Sequence, residues 1–135
     1  KKYVSGNNDE DKARFSDAHL RIGDIYYIKK ENENAVSSYL AAYNSKAGAL
    51  DYALYQSSLC YGYAKKYSEE VAGMKKLVSE YPSSKYVPAA IYQTAEGYNA
   101  LEDNSNAISY YQNYITRYPN SQKVRDALMS MGLIQ

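Results

Sequence analysis

The chain reads as an all-α protein, an α-α superhelix of three helical hairpins followed by a final helix. Three observations predict this. Apolar and small residues recur at spacings of three and four through successive short segments, which gives each segment one buried helical face. Brief polar turns separate the segments. Two hairpins close on the same dipeptide, Tyr81-Pro82 and Tyr118-Pro119, 37 residues apart. A hairpin of two short helices leaves its apolar stripe half wet, and a neighbouring copy must cover it.

Residues 1–10 read as the exit of a preceding helix and a Gly-Asn-Asn turn, with Tyr3 in the place of Tyr81 and Tyr118. Asn8, Asp9, Glu10 and Asp11 lack the spacing of a calcium loop and are expected to form a solvated turn. The first repeat covers about 11–45. Its first helix runs over about 11–30, with Phe15, Leu20, Ile22 and Ile25 among its apolar positions. Lys29 and Lys30 suit the negative pole at its end. Residues 31–34 make the turn, and about 35–44 the return helix.

The second repeat covers about 48–82. Its first helix ends near Lys65-Lys66 and its second opens with Glu69-Glu70, again the favourable charge at each pole. The third, about 85–119, is the most regular. Ile91, Ala95 and Tyr98 share one face of its first helix, and Pro88 is tolerated in the first turn. Asp103, Asn104, Ser105 and Asn106 favour a turn and cap. Ala107, Ile108, Tyr111, Tyr114 and Ile115 restore the stripe, until Pro119 forces Tyr118 out of the helical region. Residues 122–135 begin a further first helix, aligning Leu128 with Ile91 and Gly132 with Ala95.

The 135 residues thus form a single array over 1–135, expected to be a fragment of a longer protein because no Met opens it and the last repeat is incomplete. A net charge of +1 without a basic stripe argues against nucleic acid as a partner. No apolar run is long enough to span a membrane, and no signal-like segment opens the chain. The single cysteine, Cys60, supplies neither a disulfide framework nor a metal cluster, and reads as a small buried hydrophobe. His19 has no ligand or base partner at suitable spacing and reads as a packed side chain. No Gly-rich phosphate loop is present, and no cofactor is expected. The 18 tyrosines, against one Phe and no Trp, suit a scaffold that buries rings and leaves hydroxyls at wet edges.

Gly23, Tyr26, Ala35, Tyr39 and Ala42 form one series of small and aromatic positions; Ala95, Tyr98, Ala107, Tyr111, Tyr114 and Pro119 form a second. Ser58, Tyr61, Glu70, Met74, Leu77 and Pro82 fall at matching offsets, with Glu70 where an alanine belongs at a close helix crossing. This series resembles the tetratricopeptide repeat. The closures Tyr81-Pro82-Ser83-Ser84 and Tyr118-Pro119-Asn120-Ser121 resemble more narrowly the periplasmic type of bacterial envelope proteins, such as outer-membrane assembly lipoproteins and Tol-Pal coordinators. The stretches at 21–27 and 51–56 resemble the Tyr-rich repeat proteins of Bacteroidetes.

The resemblance implies a non-enzymatic scaffold that holds a protein or peptide, in the periplasm or at the outer membrane, with a cytoplasmic location still open. It also implies that first helices line a concave wall. One residue off the packing face, that wall would present Leu20, Asp24 and Tyr27, then Tyr52, Tyr55, Leu59 and Tyr63, then Tyr92, Glu96 and Asn99, and finally Met129 and Leu133. Of these, Tyr27, Tyr52, Tyr55, Leu59, Tyr63, Tyr92, Glu96 and Asn99 are the candidate partner-binding residues. Tyrosines recognise partners well, because a rigid ring adds contact area and the hydroxyl still hydrogen-bonds. The alternative is that the rings pack against neighbouring helices and the array is a spacer or an oligomerisation segment, self-associating through its terminal helices. An anionic tail is excluded as client, since the wall offers Glu96 and tyrosines rather than Lys and Arg.

Overall fold

The computed structural model describes residues 8–134. Seven helices follow one another: α1 (Asn8–Ile28), α2 (Asn32–Asn44), α3 (Leu50–Tyr63), α4 (Tyr67–Glu80), α5 (Val87–Ala100), α6 (Asn104–Arg117) and α7 (Val124–Ile134). Each packs on the helix before and the helix after it, and the first helices α3 and α5 also touch directly. Among the described residues there is no strand. The architecture is three helical hairpins and a final helix, stacked in a row as an all-α superhelix. The Tyr3 closure and Gln135 lie outside the described residues.

Two local expectations are corrected. Asn8–Asp11 is no turn but the opening of α1. Three acids there face the positive pole, and Arg14 reaches back to Glu10 at 3.4 Å and Asp11 at 3.3 Å. The loop expected at 31–34 is shorter, because α2 already starts at Asn32.

The three hairpin turns are built alike. Lys30, Lys65 and Glu102 take left-handed backbone, with φ of 63°, 65° and 61°. The next residue donates its N–H to the carbonyl of a tyrosine five back: Glu31 to Tyr26 at 2.9 Å, Lys66 to Tyr61 at 2.8 Å and Asp103 to Tyr98 at 2.9 Å. This satisfies carbonyls that the helix end would leave bare. The Tyr-Pro closures are equally repetitive. Ser84 and Ser121 donate backbone N–H groups to Tyr81 and Tyr118, each at 3.0 Å. Their hydroxyls accept from the N–H two residues on, each at 3.1 Å.

Small residues set the distance between helices. Ala35 and Ala107 are fully buried, and Gly23 lies so close to the Tyr39 ring that a Cβ would stand 2.7 Å from it. Tyr39, Met74 and Tyr111, equivalent positions of the three repeats, fill the centres of their hairpins. The end helices are less covered. Phe15, Ile22 and Ile25 on α1 and Leu128, Met129 and Leu133 on α7 are exposed. Leu128 therefore does not share the buried state of Ile91, since α5 is packed between α4 and α6 whereas α7 packs chiefly on α6.

Candidate functional site

The eight candidate residues fall into three environments. Tyr27 at the end of α1 and Tyr63 at the end of α3 come together as stacked rings, with centroids 6.0 Å apart and planes inclined by 27°. Each sits in the last turn of its helix, which delivers both rings to the same end of the stack. Ile28, Lys30 and Asn32 join them around a cavity of about 500 Å³. Tyr63 is 54% exposed. Its hydroxyl is pushed up to about 12, first by a hydrogen bond with Tyr27 and then by burial, so this phenol is neutral and available as a hydrogen-bonding group at neutral pH.

Tyr63 also lines a second cavity of about 240 Å³, together with Leu59, Tyr67, Glu70, Gln93 and Glu96. The two cavities thus share a wall. Aromatic, apolar and polar groups stand side by side there, as in sites that accept a protein segment. Asn99 is separate. It borders a third, more polar hollow with Glu102, Asn104, Ser130 and Leu133, toward α7.

The remaining tyrosines pack against other rings, Tyr92 buried and Tyr52 and Tyr55 half-buried. Tyr92 is only 6% exposed, its ring edge-on to Tyr111 at 6.0 Å and to Tyr114 at 5.4 Å, with the Lys123 ammonium 4.9 Å above it. Tyr55 stacks on Tyr86 at 5.0 Å, and Tyr52 lies 5.9 Å from the same ring. Tyr86 comes from the link before α5, and it takes up the surface that Tyr52 and Tyr55 were expected to present. Of the five tyrosines expected to converge, Tyr27 and Tyr63 stack on each other, Tyr52 and Tyr55 are half-buried beside Tyr86, and Tyr92 is buried.

A hydrogen-bond system underlies this wall. The Asp24 carboxylate accepts from Tyr39 at 2.5 Å and Tyr52 at 2.6 Å, and Gln56 donates to the Tyr39 hydroxyl at 3.4 Å. In the third repeat Glu96 accepts from Tyr111 at 2.6 Å. Both carboxylates are half-buried and turned inward by the tyrosine of the return helix. The middle repeat has Leu59 and Met74 at these two positions, and its acid stands instead at Glu70.

Glu70 is the functional candidate that sequence reasoning missed. Read as a helix-start charge, it is 4% exposed. Gly62 and Gly97 make room for it. A Cβ on Gly62 would overlap its Oε2, and one on Gly97 would stand 3.3 Å from its Oε1. Burial, and then the Glu96 charge, push its carboxyl up to about 7. Glycines on the facing helices were the available signal, because they open a crossing that alanine would normally occupy. Cys60 is buried, which pushes its thiol up to about 11 and leaves it unreactive at neutral pH. His19 packs against Phe15 at 4.3 Å, with Nδ1 buried and unpaired. Among the described residues no three His, Cys, Asp or Glu side chains gather as a metal site, and no helix is long and apolar enough to cross a membrane.

Residues 52–84 and 89–121 each match the family model of the tetratricopeptide repeat. The second and third hairpins are tetratricopeptide repeats. The two matches fall on the second and third hairpins, α3 with α4 and α5 with α6, closing with Ser84 and Ser121. The first hairpin, α1 with α2, packs in the same order and shares the turn geometry, although it has no Tyr-Pro closure. The search of curated proteins finds no match. Tetratricopeptide repeats generally mediate contacts between proteins, and their all-α stack is typically a scaffold rather than an enzyme.

Proposed function

We propose that this tetratricopeptide array is a non-enzymatic scaffold that grips a segment of a partner protein at the Tyr27–Tyr63 end of its groove, as part of a bacterial cell-envelope complex. The observation that carries the reading is the stacked pair formed by half-buried Tyr27 and exposed Tyr63, with both rings on the first cavity and Tyr63 also on the second. A segment laid across them would bury apolar area on both rings and on Leu59, and would find hydrogen-bonding partners in the phenols. Leu59 and Glu96 contribute through the second cavity. Tyr52, Tyr55 and Tyr92 act indirectly, by holding α3 and α5 in place. The envelope location rests on the likeness of the Tyr-Pro-x-Ser closures, and fractionation of the tagged parent protein tests it.

The spacer reading draws on the packing of Tyr92, which is buried, and of Tyr55, which is half-buried against Tyr86. Capture from bacterial envelope extracts separates the two. A Tyr27→Ala, Tyr63→Ala double variant that keeps its helical signal should lose the partners recovered by the parent. Equal recovery would favour the spacer.

A further inference from the structure

Glu70 presents an unmet requirement. The residue is more than nine-tenths buried; its carboxylate oxygens open only onto the cavity they line, and among the described residues they receive no side-chain hydrogen bond and have no cation within salt-bridge distance. A buried charge without a partner is unfavourable, and chains normally pair it or neutralise it. None of the groups around it is a cation. From α3 come Tyr55 and Tyr63, from its own helix Tyr67, and from α5 Gln93 and Glu96, whose like charge makes matters worse. The nearest lysine in sequence outside the helix core, Lys66, is turned to Glu33 at 3.7 Å. Nor is the carboxylate sealed in. It lines the cavity of about 240 Å³ whose rim carries Tyr63 and Tyr67, with Leu59 and Gln93 on the walls.

The geometry points to a cation socket: this cavity takes the ammonium or guanidinium of a Lys or Arg side chain on the partner protein, held between the Glu70 and Glu96 carboxylates. The inference rests on the groove reading and gives its client a chemistry, that of a segment with one basic side chain beside an apolar one. Charge complementarity selects the occupant. Two carboxylates, one of them buried, in a partly enclosed cavity favour a cation more than they would in open water. The Tyr63 ring beside them adds a face for an alkyl stem or a guanidinium plane. A metal ion is the poorer fit, since the pair lacks a third acidic or histidine ligand.

The test uses the whole chain and small probes. The Glu70 carboxyl is followed through its titration by carbon NMR, with n-butylammonium chloride as the lysine-head probe at constant ionic strength. The socket predicts that the titration midpoint falls by about 1 pH unit or more as the probe saturates, the shift an opposite charge at close range produces. Tyr63 ring signals should move with it, and 1-pentanol should leave the midpoint in place. An unmoved midpoint under butylammonium overturns the socket, as does calcium chloride shifting it where butylammonium does not. Tyr27 lies outside this cavity, so loss of partner capture by Tyr27→Ala reports on the groove separately. A silent titration with Tyr27-dependent capture removes the socket and leaves the groove. A moving midpoint with Tyr27-independent capture does the reverse.

Discussion

The hydroxyl of Tyr111 donates to the carboxylate of Glu96 at 2.6 Å, tying the return helix of the third hairpin to its first. Tyr39 and Asp24 make the same bond at 2.5 Å in the first hairpin, over the same interval of 15 residues. A hydrogen bond to a half-buried carboxylate is among the stronger kinds, because the charge is poorly solvated. Tyr111→Phe keeps the ring and removes only the hydroxyl. It should lower the unfolding free energy by about 2 kcal/mol in urea titrations at neutral pH. Leu59→Ala in the middle hairpin, where no such bond exists, should instead show the cost of lost packing.

Glu70 predicts an unusual pH dependence. Its folded-state carboxyl titrates near 7, against 4.5 for the ordinary value. Below about 4.5 both folded and unfolded chains hold the proton and burial costs little. As pH rises from there to about 7, the unfolded chain releases the proton first, and stability falls. Above 7 the full cost is present, about 3 kcal/mol for a shift of this size. Glu70→Gln should abolish that slope and be more stable than the parent at pH 8. Chemical denaturation of both proteins at pH 4.5 and pH 8 measures it.

The hairpin turns carry removable strain. Lys65 and Glu102 are exposed and hold left-handed backbone that glycine adopts without penalty. Lys65→Gly and Glu102→Gly should each raise stability by about 1 kcal/mol, with additive effects because the turns lie in different hairpins. Thermal unfolding of the single and double variants checks this.

Gly97 and Gly132 should respond in opposite directions to alanine. A Cβ on Gly97 would lie 2.6 Å from Val71 Cγ2, so α5 would have to move off α4, at a cost of about 1–3 kcal/mol. Nothing lies within 4 Å of the Gly132 site. There alanine adds only helix propensity, about 1 kcal/mol in favour. Paired melting curves distinguish the two.

The stack was legible because its signals are local and recur. Stripes at three and four, the Tyr-Pro closures and the small residues at crossings each act within one hairpin, and every helix from α2 to α7 follows from them. The groove was less legible. Adjacent positions on a helix differ by about 100° around its axis, so a wall one residue off the packing face cannot be separated from that face by periodicity alone. Tyr92 fell on the buried side of that line, and Tyr55 lies across it, half-buried. Tyr86 decided the matter for Tyr55, and it arrives from a link that carries no periodicity. The Asp24–Tyr39 and Glu96–Tyr111 bonds left a readable trace, the same two residue types at the same interval in two repeats. Glu70 left only Gly62 and Gly97, one on the preceding helix and one on the following helix.

The central claim, that the Tyr63 face and not the outer helices meets the partner, is open to one direct measurement. A photo-crosslinking phenylalanine analogue is placed at position 63 on α3 or at the exposed position 109 on α6, and intact cells are irradiated. The account predicts a discrete higher-mass adduct from position 63 and none from 109. Adducts of equal yield from both positions, or from 109 alone, would contradict it.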